Sequence, residues 1–292
     1  MFKRAVLITD FTSGGILFGE WIERLTSLGV REAVVTEAVS ATAGMSLAFS
    51  YDTDTPESLL EQERERLSNS GIEVENAVIT GRGGKQVADL ARERDASLVV
   101  VGTEHHSIAG EALGFNFAWN IIGHSPVPVL TIPLKESTDR QAVLTDRAPD
   151  GPHALSHVLI PTDFSDDADQ AFGVVESDVA PRSEKISLLH VQDSAHIEPH
   201  LKDRLEEFNR IDKERLAALQ SRLSQSGCDE IHPHIAYGQP VTEILKYASE
   251  NAVSLVVLGR KGRGRLKEAL LGGVSHNVLR ASDIPTLVVP AV

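Results

Sequence analysis

The chain has a single cysteine, Cys228, in 292 residues. One thiol excludes an internal disulfide framework and suits a reducing cytoplasm. Cations are scarce as well: 28 Lys and Arg stand against 42 Asp and Glu, a formal net charge of −14. That balance argues against a nucleic-acid-binding surface, which needs a basic stripe. No apolar stretch approaches the length of a membrane span, so no membrane partner is expected. Met1-Phe-Lys-Arg enters a strand too short for the apolar core of an export signal. Metal-ligand sets are missing too. His232 and His234 would share a strand face and His105 and His106 lie together in a loop, but neither pair has the further ligands of a structural zinc site. No Ser-His-Asp or Cys-His constellation can be defended from spacing.

What is present is a loop. The apolar run Ser254-Leu-Val-Val-Leu258 reads as a buried parallel strand, and it leads into Gly259-Arg-Lys-Gly262-Arg-Gly-Arg-Leu-Lys-Glu-Ala-Leu-Leu-Gly272-Gly273-Val-Ser275 and a helix-like stretch. Glycines let backbone N–H groups approach phosphate oxygens, and a helix N-terminus adds positive potential. The cations from Arg260 to Lys267 are too local for a duplex and fit a triphosphate. No Gly-Lys-Ser/Thr closes the loop, so it is not a Walker A motif.

The spacing of Gly, two residues, Gly, nine residues, Gly resembles the ATP-binding signature of the universal stress protein family. The family pattern ends in Gly-Ser or Gly-Thr; here Gly273 stands at that place, with a hydroxyl two residues on at Ser275. The strand His157-Val-Leu-Ile-Pro161-Thr162-Asp163 resembles the family's opening strand, whose carboxylate contacts the adenosine. A carboxylate at a strand's C-terminal end can accept from sugar hydroxyls. Asp163 could instead cap the next helix, but Ser165 is equally placed to do so and would leave Asp163 to a ligand. The strand ending His190-Val191 matches the one whose backbone reads adenine, with Val191 at that position; His190 itself reads as a satisfied core or edge histidine. Tyr237-Gly238-Gln-Pro240 and Ile284-Pro285-Thr-Leu-Val-Val-Pro290 match the family's punctuation, and the resemblance runs from about Leu155 to Val292. It implies ATP, with Mg2+, held by Pro161, Thr162, Asp163 and Val191 on one side. Leu258, Gly259, Gly262, Arg263, Gly272, Gly273, Val274 and Ser275 would hold it on the other.

The chain also repeats itself. Arg4-Ala-Val-Leu-Ile-Thr-Asp10-Phe11 matches His157-Val-Leu-Ile-Pro-Thr-Asp163-Phe164, and Ser97-Leu-Val-Val-Val-Gly102 matches Ser254-Leu-Val-Val-Leu-Gly259. Pro126 to Pro133 matches Asp283 to Pro290. Such order-preserving matches predict a tandem duplication. The expected organisation is a degenerate domain at 1–135, a linker at 136–155 and a nucleotide-binding domain at 156–292. The first half is degenerate because His105 stands for Gly262, Phe115 for Gly272 and Ala118 for Ser275, while Glu104 replaces a cation and would repel phosphate.

Apolar runs of strand length alternate with helical patterns, which predicts α/β architecture: two tandem doubly wound five-stranded parallel-sheet domains, Rossmann-like. In the second half strands are expected near 156–161, 185–191, 230–236, 253–258 and 285–289, and helices near 166–179, 197–226, 240–250 and 274–281. The long helix carries Leu201, Leu205, Phe208, Leu216, Leu219 and Leu223 as a core stripe. Residues 41–51 read as an apolar loop, either a flap or a dimer contact. Strands 127–133 and 285–290 are candidates to pair as an intramolecular pseudo-dimer, with a further homodimer open. The function expected is a cytoplasmic stress protein, a regulatory or sensory module that binds a nucleotide and an unknown protein partner. A slow ATPase or phosphotransferase and a nucleotide-independent interaction module are the alternatives.

Overall fold

The computed structural model describes residues 2–9, 21, 24–39, 56–80, 83–104, 113–136, 142–144, 154–198, 202–262 and 272–291. Its contacts divide the chain into two compact units, Met1–Asp146 and Arg147–Val292. The stretch 41–51 lies outside the described residues.

In the first unit β1 (Arg4–Thr9), β2 (Glu32–Val39), β3 (Glu73–Thr80), β4 (Leu98–Glu104) and β5 (Val129–Glu136) form a parallel sheet in the order β3-β2-β1-β4-β5. The described helices are α1 (Pro56–Asn69), α2 (Gly84–Glu93) and α3 (Leu113–His124). A short strand, β6 (Ala142–Leu144), folds back antiparallel onto β5. The sequence predicts a linker there; its residues 142–144 instead pair with the last three residues of β5.

The second unit uses the same plan. β7 (Val158–Thr162), β8 (Lys185–Asp193), β9 (Glu230–Gly238), β10 (Leu255–Gly259) and β11 (Thr286–Val289) pair in the order β9-β8-β7-β10-β11, all in parallel. Strand β10 is buried along its whole length, as a strand covered on both faces must be. The helices are α4 (Asp166–Val174), α5 (Leu205–Ser224), α6 (Pro240–Glu250) and α7 (Gly273–Ala281). Leu159, Leu189, Val256, Leu258 and Val278 pack with Ile244 and Ala248 of α6 into a dry core. The helix expected at 197–226 is shorter. A single turn covers Ser194–Ile197, and α5 begins only at Leu205; Pro199, which has no N–H to continue the ladder, follows the turn. The helix expected at 166–179 ends its α geometry at Val174 and continues as a π turn through Val179.

The duplication reaches individual hydrogen bonds. Ser97 Oγ donates to the Arg4 carbonyl at 3.0 Å, and Ser254 Oγ donates to the His157 carbonyl at 3.0 Å. Ser125 Oγ reaches the Val127 carbonyl and Ser282 Oγ the Ile284 carbonyl, at 2.7 and 2.9 Å. Asp95 and Ala252, at matching helix ends, share a left-handed backbone with φ of 48° and 49°. These bonds recur at corresponding points of the two halves, so the repeat is one of structure as well as of sequence.

His157, at the foot of β7, is a titratable group inside this framework. Its Nδ1 bonds the Asn251 carbonyl and its Nε2 meets Ser187 Oγ, both at 2.8 Å. Tyr247 Oη donates to the same Ser187 hydroxyl at 2.9 Å. Burial, opposed by the Asn251 carbonyl, holds the imidazole below its ordinary value of 6.5. The unfolded chain therefore binds this proton more readily than the folded one, and stability rises with pH in that window. We expect the urea midpoint of the second unit to fall as pH is lowered from about 7 to about 5. His157→Gln should flatten that dependence. Parallel curves for the two proteins would remove His157 as its cause.

Candidate functional site

β7 and β10 are neighbours from which the chain departs in opposite directions along the sheet, one toward β8 and the other toward β11. Ligands of open α/β sheets bind outside the carboxyl ends of strands at such a switch point. A cavity of about 1000 Å³ opens there. Among the described residues, every position expected from the sequence lines it: Pro161, Thr162, Asp163, Val191, Leu258, Gly259, Gly262, Gly272, Gly273, Val274 and Ser275. Arg263 lies outside the described residues.

The turn after β7 engages both Ser165 and Asp163. Ser165 Oγ accepts from Ala168 N and so caps α4. Asp163 Oδ1 receives Ser165 N at 3.0 Å and Ser165 Oγ at 2.5 Å, which fixes the carboxylate's direction. Between them Phe164 has φ of 57°, an uncommon conformation for a large side chain. Backbone strain of this kind collects at functional turns.

The glycines of the loop have distinct roles. A Cβ on Gly259 would stand 2.6 Å from the Asp167 carbonyl oxygen. One on Gly262 would stand 2.8 Å from Asp163 Oδ2, so the loop and the carboxylate touch only because that residue has no side chain. One on Gly272 would press on Lys261 Cα at 3.2 Å and Gly262 N at 3.3 Å. Gly273 differs, with nothing within 4 Å. The loop is closed at its base by Gly272 N to the Arg260 carbonyl and anchored by Arg260 N to the Val289 carbonyl, both at 2.8 Å. The helix α7 then starts at Gly273, with its first N–H groups at the cavity. Ser275 is 6% exposed and donates its Oγ to the Gly259 carbonyl at 2.8 Å. Its hydroxyl proton ties the end of β10 to α7.

The opposite wall comes from β8 and α5. Val191 lies in β8, and His190 and Gln192 on either side of it are buried and also line the cavity. His190 Nδ1 bonds the Thr162 carbonyl at 2.8 Å, its ring lies 4.5 Å from that of Phe164, and its Nε2 is 3.5 Å from Asp212 Oδ2. His190 is thus a satisfied histidine, as its sequence context indicates. Phe208, Ile211, Asp212 and Arg215 of α5 complete this wall; the Arg215 guanidinium sits 5.1 Å over the Phe164 ring. Sequence reasoning marks none of these α5 residues as a ligand contact. The available signal is the position of Asp212: four residues after Phe208 and four before Leu216, it puts a carboxylate in the middle of an apolar stripe.

Chemically the cavity is graded. Lys261 and the start of α7 lie at the β10 end, and Asp163 and Asp212 lie toward β7 and β8, where the α5 wall also carries Arg215 over Phe164. An anion is favoured at one end and hydrogen-bond donors at the other. In the first unit the corresponding positions, Asp10 and His105 to Glu111, lie outside the described residues. Among the described residues no group of three or more His, Cys, Asp and Glu could hold a metal ion, and no helix is long and apolar enough to cross a membrane.

A model of the universal stress protein family matches the chain twice, over residues 1–133 and 155–290. A universal stress protein of Methanocaldococcus jannaschii is 32% identical over 151 residues, covering 45% of this chain and 93% of the relative. One from Bacillus subtilis is 30% identical over 148 residues, 46% of this chain and 99% of the relative. Over the full length, a solved universal stress protein from Archaeoglobus fulgidus superposes with a TM-score of 0.71 at 20% identity, covering 99% of this chain and 97% of the other. That likeness extends the shared fold to both halves.

Proposed function

Because the chain belongs to the universal stress protein family, we propose that its second unit binds ATP in the β7/β10 cavity and serves as a nucleotide-responsive regulatory module of the cytoplasm. The observation that carries this reading is the contact of Gly262 with Asp163. A loop able to wrap phosphates and a carboxylate able to hold sugar hydroxyls are brought side by side by the absence of one Cβ. In this reading the backbone N–H groups of Gly262, Gly273 and Val274 hold the triphosphate, with Lys261 and Arg263 adding charge, while the Gly272 N–H closes the loop on the Arg260 carbonyl. Asp163 accepts from the ribose, and the backbone at Val191 meets the base. Pro161, Thr162 and Leu258 form the floor, and Ser275 holds the loop's two ends together. Magnesium would be held chiefly by the triphosphate oxygens and would neutralise part of their charge.

The domains take different parts. Residues 156–292 carry the nucleotide and residues 1–135 a degenerate copy, joined through 136–155. The test is the nucleotide content of protein as purified, released by denaturation and identified by chromatography and mass spectrometry. About one ATP per chain is expected, and Asp163→Ala should lower affinity for added MgATP by about tenfold or more, because a charge-assisted bond to the sugar is lost. Two nucleotides per chain would overturn the asymmetry between the halves. A protein that is empty and also fails to bind added MgATP would overturn the reading itself.

A further inference from the structure

The α5 wall contains a buried carboxylate that the phosphate and sugar contacts do not use. Asp212 is 7% exposed, lies on the apolar stripe of α5 and lines the cavity. Both of its contacts fall on one oxygen: Gln192 Nε2 donates to Oδ2 at 2.9 Å, and His190 Nε2 lies 3.5 Å from the same atom. Among the described residues Oδ1 receives no hydrogen bond. Oδ1 is therefore the oxygen left to accept from whatever enters the cavity that Asp212 lines. Phe208 and Ile211 on the same helix face supply apolar surface to this wall, as does Ile197, and Arg215 adds a guanidinium.

The order of strands says which part of a nucleotide reaches this wall. β10, β7 and β8 are consecutive in the sheet, so the ends of β10 and β8 are about 10 Å apart. A ligand with phosphates at the β10 loop and sugar at Asp163 must continue toward β8. Its base then comes under α5, between apolar side chains and beside Gln192 and Asp212. Gln192 also fixes the carboxylate's direction, since its amide occupies Oδ2 and leaves Oδ1 as the remaining acceptor.

We propose that Asp212 selects the base: Oδ1 accepts a hydrogen bond from an exocyclic amino group, so the cavity takes 6-aminopurine nucleotides and rejects 6-oxopurine ones. This rests on the nucleotide reading of the same cavity. An oxo group in place of the amine would set two acceptors against each other without water between them, and sites built around one buried hydrogen bond discriminate strongly against such analogues.

The experiment compares MgATP with magnesium inosine triphosphate, which differs by that amine, on the full chain by calorimetry. The wild-type protein should prefer ATP by about thirtyfold or more. Asp212→Asn keeps the shape and an oxygen for Gln192 Nε2 while offering an N–H to an oxo group. It should bring the two nucleotides within about threefold of each other, with inosine triphosphate binding more tightly than before. If Asp212→Asn retains the wild-type ratio, or the wild type has no preference, base selection by Asp212 is wrong and the nucleotide site stands. If the wild type binds neither nucleotide, both readings fall. Asp212→Ser, smaller and uncharged, gives the same comparison should Asp212→Asn not fold, and there too the preference must shrink.

Discussion

Gly262→Asp is expected to weaken nucleotide binding about a hundredfold while the second unit stays folded. The position of the new Cβ lies 2.8 Å from Asp163 Oδ2, so any side chain there must displace the carboxylate. An aspartate adds a second negative charge beside it, at the point where phosphate oxygens enter. Like charges in such a place cost several kcal/mol, and at about 3 kcal/mol the affinity for MgATP drops about a hundredfold. Gly262 is half-buried in a loop and is not at a helix interior or a strand centre. Its replacement should therefore change the melting temperature by only a few degrees. Gly273→Ser is the matching control. A Cβ at Gly273 meets nothing within 4 Å, and serine there restores the hydroxyl of the family pattern. That variant should bind MgATP at least as well as the wild type. Calorimetry on the three proteins decides the matter: unchanged affinity in Gly262→Asp would place the nucleotide, if any, elsewhere.

Much of this site is legible in the sequence because its parts are backbone features with strong residue requirements. The glycine spacing, the acid at the end of the first strand of the repeat, and the apolar run of β10 each follow from local constraints. Strand ends also have to converge in a parallel sheet. Of the positions expected, those within the described residues line one cavity, since a register of parallel strands leaves few alternatives.

What is not legible depends on tertiary detail. Ser275 reads in sequence as a ligand hydroxyl, but its partner is the Gly259 carbonyl, 16 residues earlier; sequence spacing cannot show which way a hydroxyl turns. The stripe of α5 reads as core, and Leu216 and Leu223 are indeed buried. Phe208 and Asp212 belong to the same face yet line the cavity, whereas Leu216 and Leu223 further along the helix are buried and do not. A helix period identifies the buried face; it does not distinguish packing against a sheet from roofing a cavity. The later start of the helix expected at 197–226 is legible in hindsight, since the sequence places a proline, which lacks an N–H for a helix, shortly before Leu205.

Gly259→Ala should damage both stability and binding, and so separate the architecture of the site from its contacts. The added methyl would stand 2.6 Å from the Asp167 carbonyl oxygen and 2.9 Å from its carbon, both backbone atoms of the first turn of α4. No side-chain rotation relieves that clash, so the helix must move away from β10 or the strand must shift. Overpacking of a buried position costs about 1–3 kcal/mol, and Gly259 is buried at the end of a strand that is buried throughout. The displaced helix start carries Ser165 with it, and Ser165 holds Asp163 through two hydrogen bonds to Oδ1. The same shift strains the Ser275 bond to the Gly259 carbonyl, which joins β10 to α7. Both the sugar contact and the phosphate cradle should therefore loosen together. Gly262→Asp, by contrast, changes binding alone. A lower urea midpoint with weakened MgATP affinity is the expected result for Gly259→Ala. Full stability with full affinity would show that α4 does not need its close approach to β10, and that the cavity tolerates a different spacing of its two walls.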